Sequence, residues 1–169
     1  MRFLTISFMI CSMLFACLPQ AQAQQAVEAA FSPSTDAIRL LQRTINDAEK
    51  SIDVAAYSFT SYKIVDALVD AHKRGVKVQV VLDKGQENRH YRAIEDLQDA
   101  GIPVRFNGRY AIMHDKFMII DSKTIESGSF NYTASAEKRN AENVIVIRNN
   151  KSLAAQFTEN WQKLWDEAG

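Results

Sequence analysis

Four apolar residues in a row, Phe117-Met118-Ile119-Ile120, limit what this chain can fold into more than any other stretch. The run is rich in strand formers, and a strand turns successive side chains to opposite faces, so this one has no side to offer to water. It has to lie inside a sheet with a layer on each face. The rest of the chain offers those layers. Residues 27–31 read as a short strand, Ser34 or Thr35 caps a helix with Ile38, Leu41 and Ile45 on one face, and residues 51–57 form the next strand. Ile64, Leu68 and Ala71 mark a second helix closed by Gly75; residues 76–82 make a largely apolar strand, and residues 91–100 a third helix capped by Gly101. A strand over 103–106, a second strand after the apolar run, a short helical piece over 132–139, a strand over 143–148 and an amphipathic helix over 151–165 complete the order. The expected fold is α/β, a mixed β-sheet flanked by helices on both faces, in one domain over 24–169 without internal repeats.

Chemistry is attached to the same run, which begins with His114-Asp115-Lys116 and ends with Asp121. His114 and Lys116, two residues apart on a strand, share a face. In Gly128-Ser129-Phe130-Asn131 the serine and asparagine have the same offset on the following strand. With Ser122-Lys123 as a two-residue hairpin loop, His114 stands opposite Asn131 and Lys116 opposite Ser129; a three-residue loop would break that pairing. An imidazole able to act as nucleophile or general acid, an ammonium, a hydroxyl and a carboxamide on one face describe a pocket for a phosphodiester. Glu142, just ahead of the strand 143–148, is placed to hold a ring nitrogen of His114 and so fix its tautomer. Asp121, at the strand end, is read as a turn or salt-bridge residue that positions the site. His72, after a helical run, and His90, in a polar loop, have no partner constellation and are read as structural.

Ahead of the domain, Arg2, the apolar run 3–18, Pro19 and Ala21-Gln22-Ala23 follow the order of a secretory signal peptide cleaved after residue 23. The apolar run is shorter than the ~20 residues a membrane span needs. Leu14-Phe15-Ala16-Cys17 offers a weaker alternative, lipid attachment at Cys17. Both cysteines, Cys11 and Cys17, fall in the leader, so the mature chain has no disulfide and no thiolate, and its three scattered histidines form no metal-ligand cluster. A hydrolase of this composition has to work with side chains alone, with no cofactor. After residue 23 there remain 19 Lys+Arg against 20 Asp+Glu, a net charge near −1. Attraction to a polyanion would therefore rest on local clusters: Lys73-Arg74, Arg89-His90-Arg92, Arg105, Arg109 and Lys138-Arg139. Arg109 and the Lys138-Arg139 pair flank the motif.

The pattern His114, Lys116, Asp121, then Gly128, Ser129, Asn131 and Glu142, resembles the signature of the phospholipase D superfamily. A single copy in a short exported chain is similar to the small bacterial periplasmic endonucleases of that superfamily, over about residues 27–165. The resemblance implies a phospholipase D-like α-β-α sandwich and metal-independent phosphodiester cleavage through a phosphohistidine. It implies His114, Lys116, Asp121 and Glu142 as catalytic residues, with Lys116, Ser129 and Asn131 binding the phosphate. Three functions follow: a non-specific endonuclease acting on DNA and RNA, a lipid phosphodiesterase using the same chemistry, and an inert envelope protein that binds phosphate polymers. The first is favoured, because no amphipathic basic helix announces a bilayer surface and the motif is complete. One histidine must also serve as both nucleophile and general acid, which points to a homodimer with a composite active site on its two-fold axis.

Overall fold

The computed structural model describes residues 25–89 and 91–169; the expected leader with Cys11 and Cys17, and His90, lie outside the described residues. A seven-stranded sheet is ordered β1 (Ala26–Ser32), β7 (Glu142–Arg148), β6 (Thr124–Gly128), β5 (Lys116–Ile120), β2 (Ser51–Ala56), β3 (Lys77–Asp83), β4 (Val104–Asn107). The strands β2, β3 and β4 run parallel, connected through helices α2 (Tyr62–Lys73) and α3 (Arg92–Asp99), and the other neighbours are antiparallel. This is the mixed sheet expected from the sequence. A 3-10 helix over Lys84–Arg89 is an addition to the expected order.

Local signals set the helices. Ser34 Oγ accepts the Asp36 N–H at 3.1 Å ahead of α1 (Thr35–Asn46), which buries Ile38, Leu41 and Ile45. Gly75 and Gly101 take positive φ, 92° and 81°, where α2 and α3 stop. On one face of the sheet Met118 and Ile120 pack with Val54, Val80 and Val146 beneath α1, α2 and α3. On the other, Phe117 and Ile119 pack with Ala55, Val81 and Ile125 beneath α5 (Lys151–Asp166), through Trp161, Leu164 and Trp165. Phe117 to Ile120 are all 3% exposed or less. At about 1.5–3 kcal/mol per fully buried large apolar side chain, this strand alone contributes on the order of 10 kcal/mol before chain entropy is counted. The layer made by α5 is incomplete. Val27 and Phe31 on β1 and Ile145 on β7 point to the same side as Ile125, yet are 63%, 64% and 38% exposed.

The connection from β5 to β6 differs from expectation. Ile120 pairs with Thr124 and Phe117 with Ser127, so three residues join the strands. Asp121 and Ser122 both take left-handed backbone, φ 52° and 53°, and the Lys123 N–H donates to Ile120 O at 3.1 Å. The cause lies far away in sequence: the Asp121 carboxylate accepts backbone N–H groups of Glu49, Lys50 and Ser51, which fixes it as a turn residue. By the same count Lys116 stands level with Gly128, and the expected pairing with Ser129 is lost.

Candidate active site

The carboxyl ends of β2 and β3 and the start of β5 meet at one edge of the sheet, the place where a crevice forms in open α/β sheets. Lys116, the first residue of β5, is 7% exposed; its Nζ donates to His114 O at 2.6 Å and lies 2.9 Å from His114 Nδ1. The Tyr57 ring, just past β2, packs on the His114 ring with centroids 4.5 Å apart and also faces Lys116 Nζ at 5.4 Å. On the far wall β6 stops at Gly128. A Cβ there would come within 2.1 Å of Asn143 O, so only glycine lets β6 and β7 approach this closely. The Ser129 N–H then donates to Asn143 O at 3.2 Å as the chain leaves the strand.

Leaving the pleat restores what the register shift removed. His114, Lys116, Ser129 and Asn131 all line one open cavity of about 760 Å³, together with Glu142. Helix α5 closes its other side with Gln156, Phe157 and Asn160. Glu142 is not on His114, as the sequence had suggested. Its carboxylate accepts from Ser129 Oγ at 2.6 Å and from Asn140 Nδ2 at 3.0 Å, while His114 Nδ1 faces Lys116. The reason is reach: Ser129 folds back over the start of β7, and its Oγ also accepts the Asn143 N–H at 3.1 Å.

Electrostatics follow from this packing. Burial pulls the Lys116 ammonium below its ordinary range, and the nearby Asp115 and Glu142 carboxylates work against that pull. A charged Lys116 donating to Nδ1 keeps the proton of the neutral imidazole on Nε2. An anion that drew the ammonium away would free Nδ1 to take that proton and leave the Nε2 lone pair open to the cavity.

Asp121 stands outside the cavity. It follows the other end of β5, roughly 16 Å from Lys116 at ~3.3 Å per residue. Burial alone would raise its carboxyl, but the backbone N–H groups of Ser51, Lys50 and Glu49, helped by Lys123, outweigh it and hold the carboxyl below the usual range. The family resemblance implied a catalytic Asp121, whereas the residue itself reads as a turn or salt-bridge residue; the carboxylate, bound to the backbone of Glu49, Lys50 and Ser51, anchors the frame. Residues missed by the sequence reading are Tyr57, Asp115 and the three on α5. Only Tyr57 left a signal, its place at the carboxyl end of a strand feeding a helix.

Of the basic clusters, Arg74 donates to Asn46 O, Arg92 pairs with Asp96, and Arg105 lies 4.4 Å over the Trp165 ring, so these serve the frame. Arg109, Lys138 and Arg139 are exposed.

Residues 41–165 match the family model described as cardiolipin synthase, PLD-like domain. The chain belongs to the phospholipase D-like family. Among its relatives are proteins named phospholipase D from Rickettsia conorii, 38% identical over 82% of this chain and 69% of that one, and from Rickettsia prowazekii, 40% identical over 80% and 65%. The mitochondrial cardiolipin hydrolase of Chlamydomonas reinhardtii is 36% identical, and the present chain spans about half of its length. The crystal structure of Nuc, a phospholipase D family member from Salmonella typhimurium, matches with TM-score 0.84 and 40% identity over 86% of this chain and 97% of Nuc. NucT from Helicobacter pylori shares the fold, with TM-score 0.78 at 24% identity. As a member of the phospholipase D superfamily the protein is a phosphodiester hydrolase.

Proposed function

We propose that the protein is an exported, metal-independent nuclease that cleaves DNA without base preference, with RNA as a second substrate. The observation that carries this reading is the convergence of His114, Lys116, Ser129 and Asn131 on one open cavity. His114 Nε2 attacks phosphorus; the bond to the leaving oxygen breaks, that oxygen takes a proton from a general acid, and water then displaces the histidine from phosphorus. Lys116, Ser129 and Asn131 neutralise and hold the phosphoryl oxygens, the work a bound cation would otherwise do. Glu142 holds the Ser129 hydroxyl on the phosphate-binding wall. Asp121 holds the strand that carries the site. Residues 1–23 direct the chain to the periplasm; attachment at Cys17 would instead tether it to the envelope.

Nucleic acid is favoured by the loop that enters the site, where Arg109 and Tyr110 are both exposed and offer a cation for backbone phosphate and a ring for stacking. The likeness to Nuc over nearly its whole length supports the same choice. A lipid phosphodiesterase is the second reading, favoured by the relatives named phospholipase D and cardiolipin hydrolase and by the exposed Val27, Phe31 and Ile145. We assign that apolar face to a second copy of the chain. The cavity offers one histidine for two tasks, and the apolar groove beside it, lined by Ile125, Ile145 and Ile147, shares Ser127, Gly128 and Phe157 with the cavity. A homodimer across this face brings two His114 together, one to attack and one to protonate.

The test is incubation of the purified chain with plasmid DNA, RNA and phosphatidylcholine vesicles in millimolar EDTA. Nicking of DNA that persists in chelator is the expected result. Choline release without DNA cleavage would replace this reading by the lipid one, and binding without cleavage of any substrate would make the protein an inert phosphate binder.

A further inference from the structure

Glu126 is a carboxylic acid in the core that the site chemistry does not use. It lies in β6 between Met118 of β5 and Val146 of β7, and is 1% exposed. A leucine would fill such a place without the cost of desolvating a carboxyl group. The partner of Glu126 is Tyr132, fully buried, whose Oη donates to Glu126 Oε2 at 2.6 Å.

Tyr132 is fastened to both walls of the cavity. It directly follows Asn131 in the chain. Its carbonyl accepts the N–H of Thr60 at 2.8 Å and of Ser61 at 3.0 Å, it bridges Phe59, and the Phe59 and Tyr132 rings meet edge to face at 5.8 Å. The segment held in this way begins at Tyr57, whose ring packs on His114. One hydroxyl-to-carboxyl bond in the core therefore fixes the residue that ties the phosphate-binding wall to the wall that orients the imidazole.

We infer that Glu126 is a positioning residue: through Tyr132 it sets Asn131 against Tyr57 and His114 across the cavity. This rests on the assignment of His114 and Asn131 to the reaction made above. Burial pushes the Glu126 carboxyl up to about 8, so near neutral pH the bond is made without a buried charge. Such a bond is directional, whereas an apolar filling of the same volume constrains only shape.

The experiment compares three variants on bis(p-nitrophenyl) phosphate, with thermal unfolding measured beside kcat and KM. Glu126→Gln keeps a carbonyl acceptor for Tyr132 and is expected to hold kcat within about twofold. The double variant Glu126→Leu, Tyr132→Phe removes the polar pair while keeping its volume. It is expected to unfold no lower than the wild type yet lose about tenfold or more in kcat at little changed KM, since small displacements of reacting groups are costly in rate. His114→Ala is expected to be inactive. A double variant with wild-type kcat beside an inactive His114→Ala would overturn the inference alone. A loss of activity in both Glu126 variants that only parallels a loss of stability would also overturn it, because the pair would then hold the core and not the site. His114→Ala at the wild-type rate would overturn the site assignment and the inference with it.

Discussion

Replacing Asp121 by asparagine separates anchoring from chemistry. The Asp121 side chain is 3% exposed and its two oxygens accept three backbone N–H groups, from Glu49 at 3.1 Å, Lys50 at 2.7 Å and Ser51 at 3.1 Å. Asparagine keeps one acceptor oxygen, loses the charge, and turns an NH2 group towards a donor. Charge-assisted bonds contribute about 1.5–3 kcal/mol each and neutral ones about 0.5–1.5, so the expected loss is on the order of 2–4 kcal/mol. The sign with pH follows from the lowered carboxyl: its contribution is fully present above the ordinary value of 3.8 and is lost as pH falls through the folded value. Urea unfolding should show the variant much weaker than the wild type at pH 7 and the two converging in acid. Hydrolysis of bis(p-nitrophenyl) phosphate, measured cold where both are folded, should change by less than about threefold, because the carboxylate is roughly 16 Å along the strand from Lys116. A hundredfold loss of kcat at unchanged stability would place Asp121 in the reaction and refute the anchoring account.

Two further outcomes follow from particular groups. The Glu126 carboxyl is raised from 4.5 to about 8, so the folded chain keeps a proton that the unfolded chain gives up, and stability should decline from about pH 4.5 to 8. Glu126→Gln should flatten the decline of the melting temperature over that range; an unchanged slope would mean that this carboxyl does not titrate there. Mixed dimers of wild type and His114→Ala should be nearly inactive on DNA but release p-nitrophenol once from an activated diester, whose leaving group needs no acid. Mixed dimers with half the wild-type rate, or a fully active monomer, would show that one chain builds a complete site.

The parts of the fold written in local chemistry were legible in the sequence. Phe117 to Ile120 demanded layers on both faces, Ser34 capped α1, and Gly75 and Gly101 closed α2 and α3. The motif residues were legible as a set, and the structure gathers His114, Lys116, Ser129, Asn131 and Glu142 around one cavity. What failed depended on contacts distant in sequence. The hairpin has three loop residues because Asp121 is bound some 70 residues away, to Glu49, Lys50 and Ser51, and no property of Ser122-Lys123 reports that. The hydrogen-bond partner of Glu142 was misjudged because Ser129, one residue past the end of β6, reaches it first. Glu126 was invisible for a different reason. A glutamate in a strand is read as a solvent-facing position, and only the tertiary approach of Tyr132 gives it a buried partner. The α5 wall of the cavity carries no motif, and the uncovered stretch of sheet beside it depends on where α5 ends up lying.

The measurement that bears most directly on the account is rapid quench of a single turnover on DNA in millimolar EDTA, followed by mapping of protein-bound phosphate. The account predicts a DNA strand joined to His114 through an acid-labile, base-stable phosphorus–nitrogen bond, formed and lost at rates that match turnover, and absent when Lys116 is replaced by methionine. No covalent phosphate, together with inversion of configuration at a chiral phosphorothioate, would mean that water attacks phosphorus directly and that His114 is not the nucleophile.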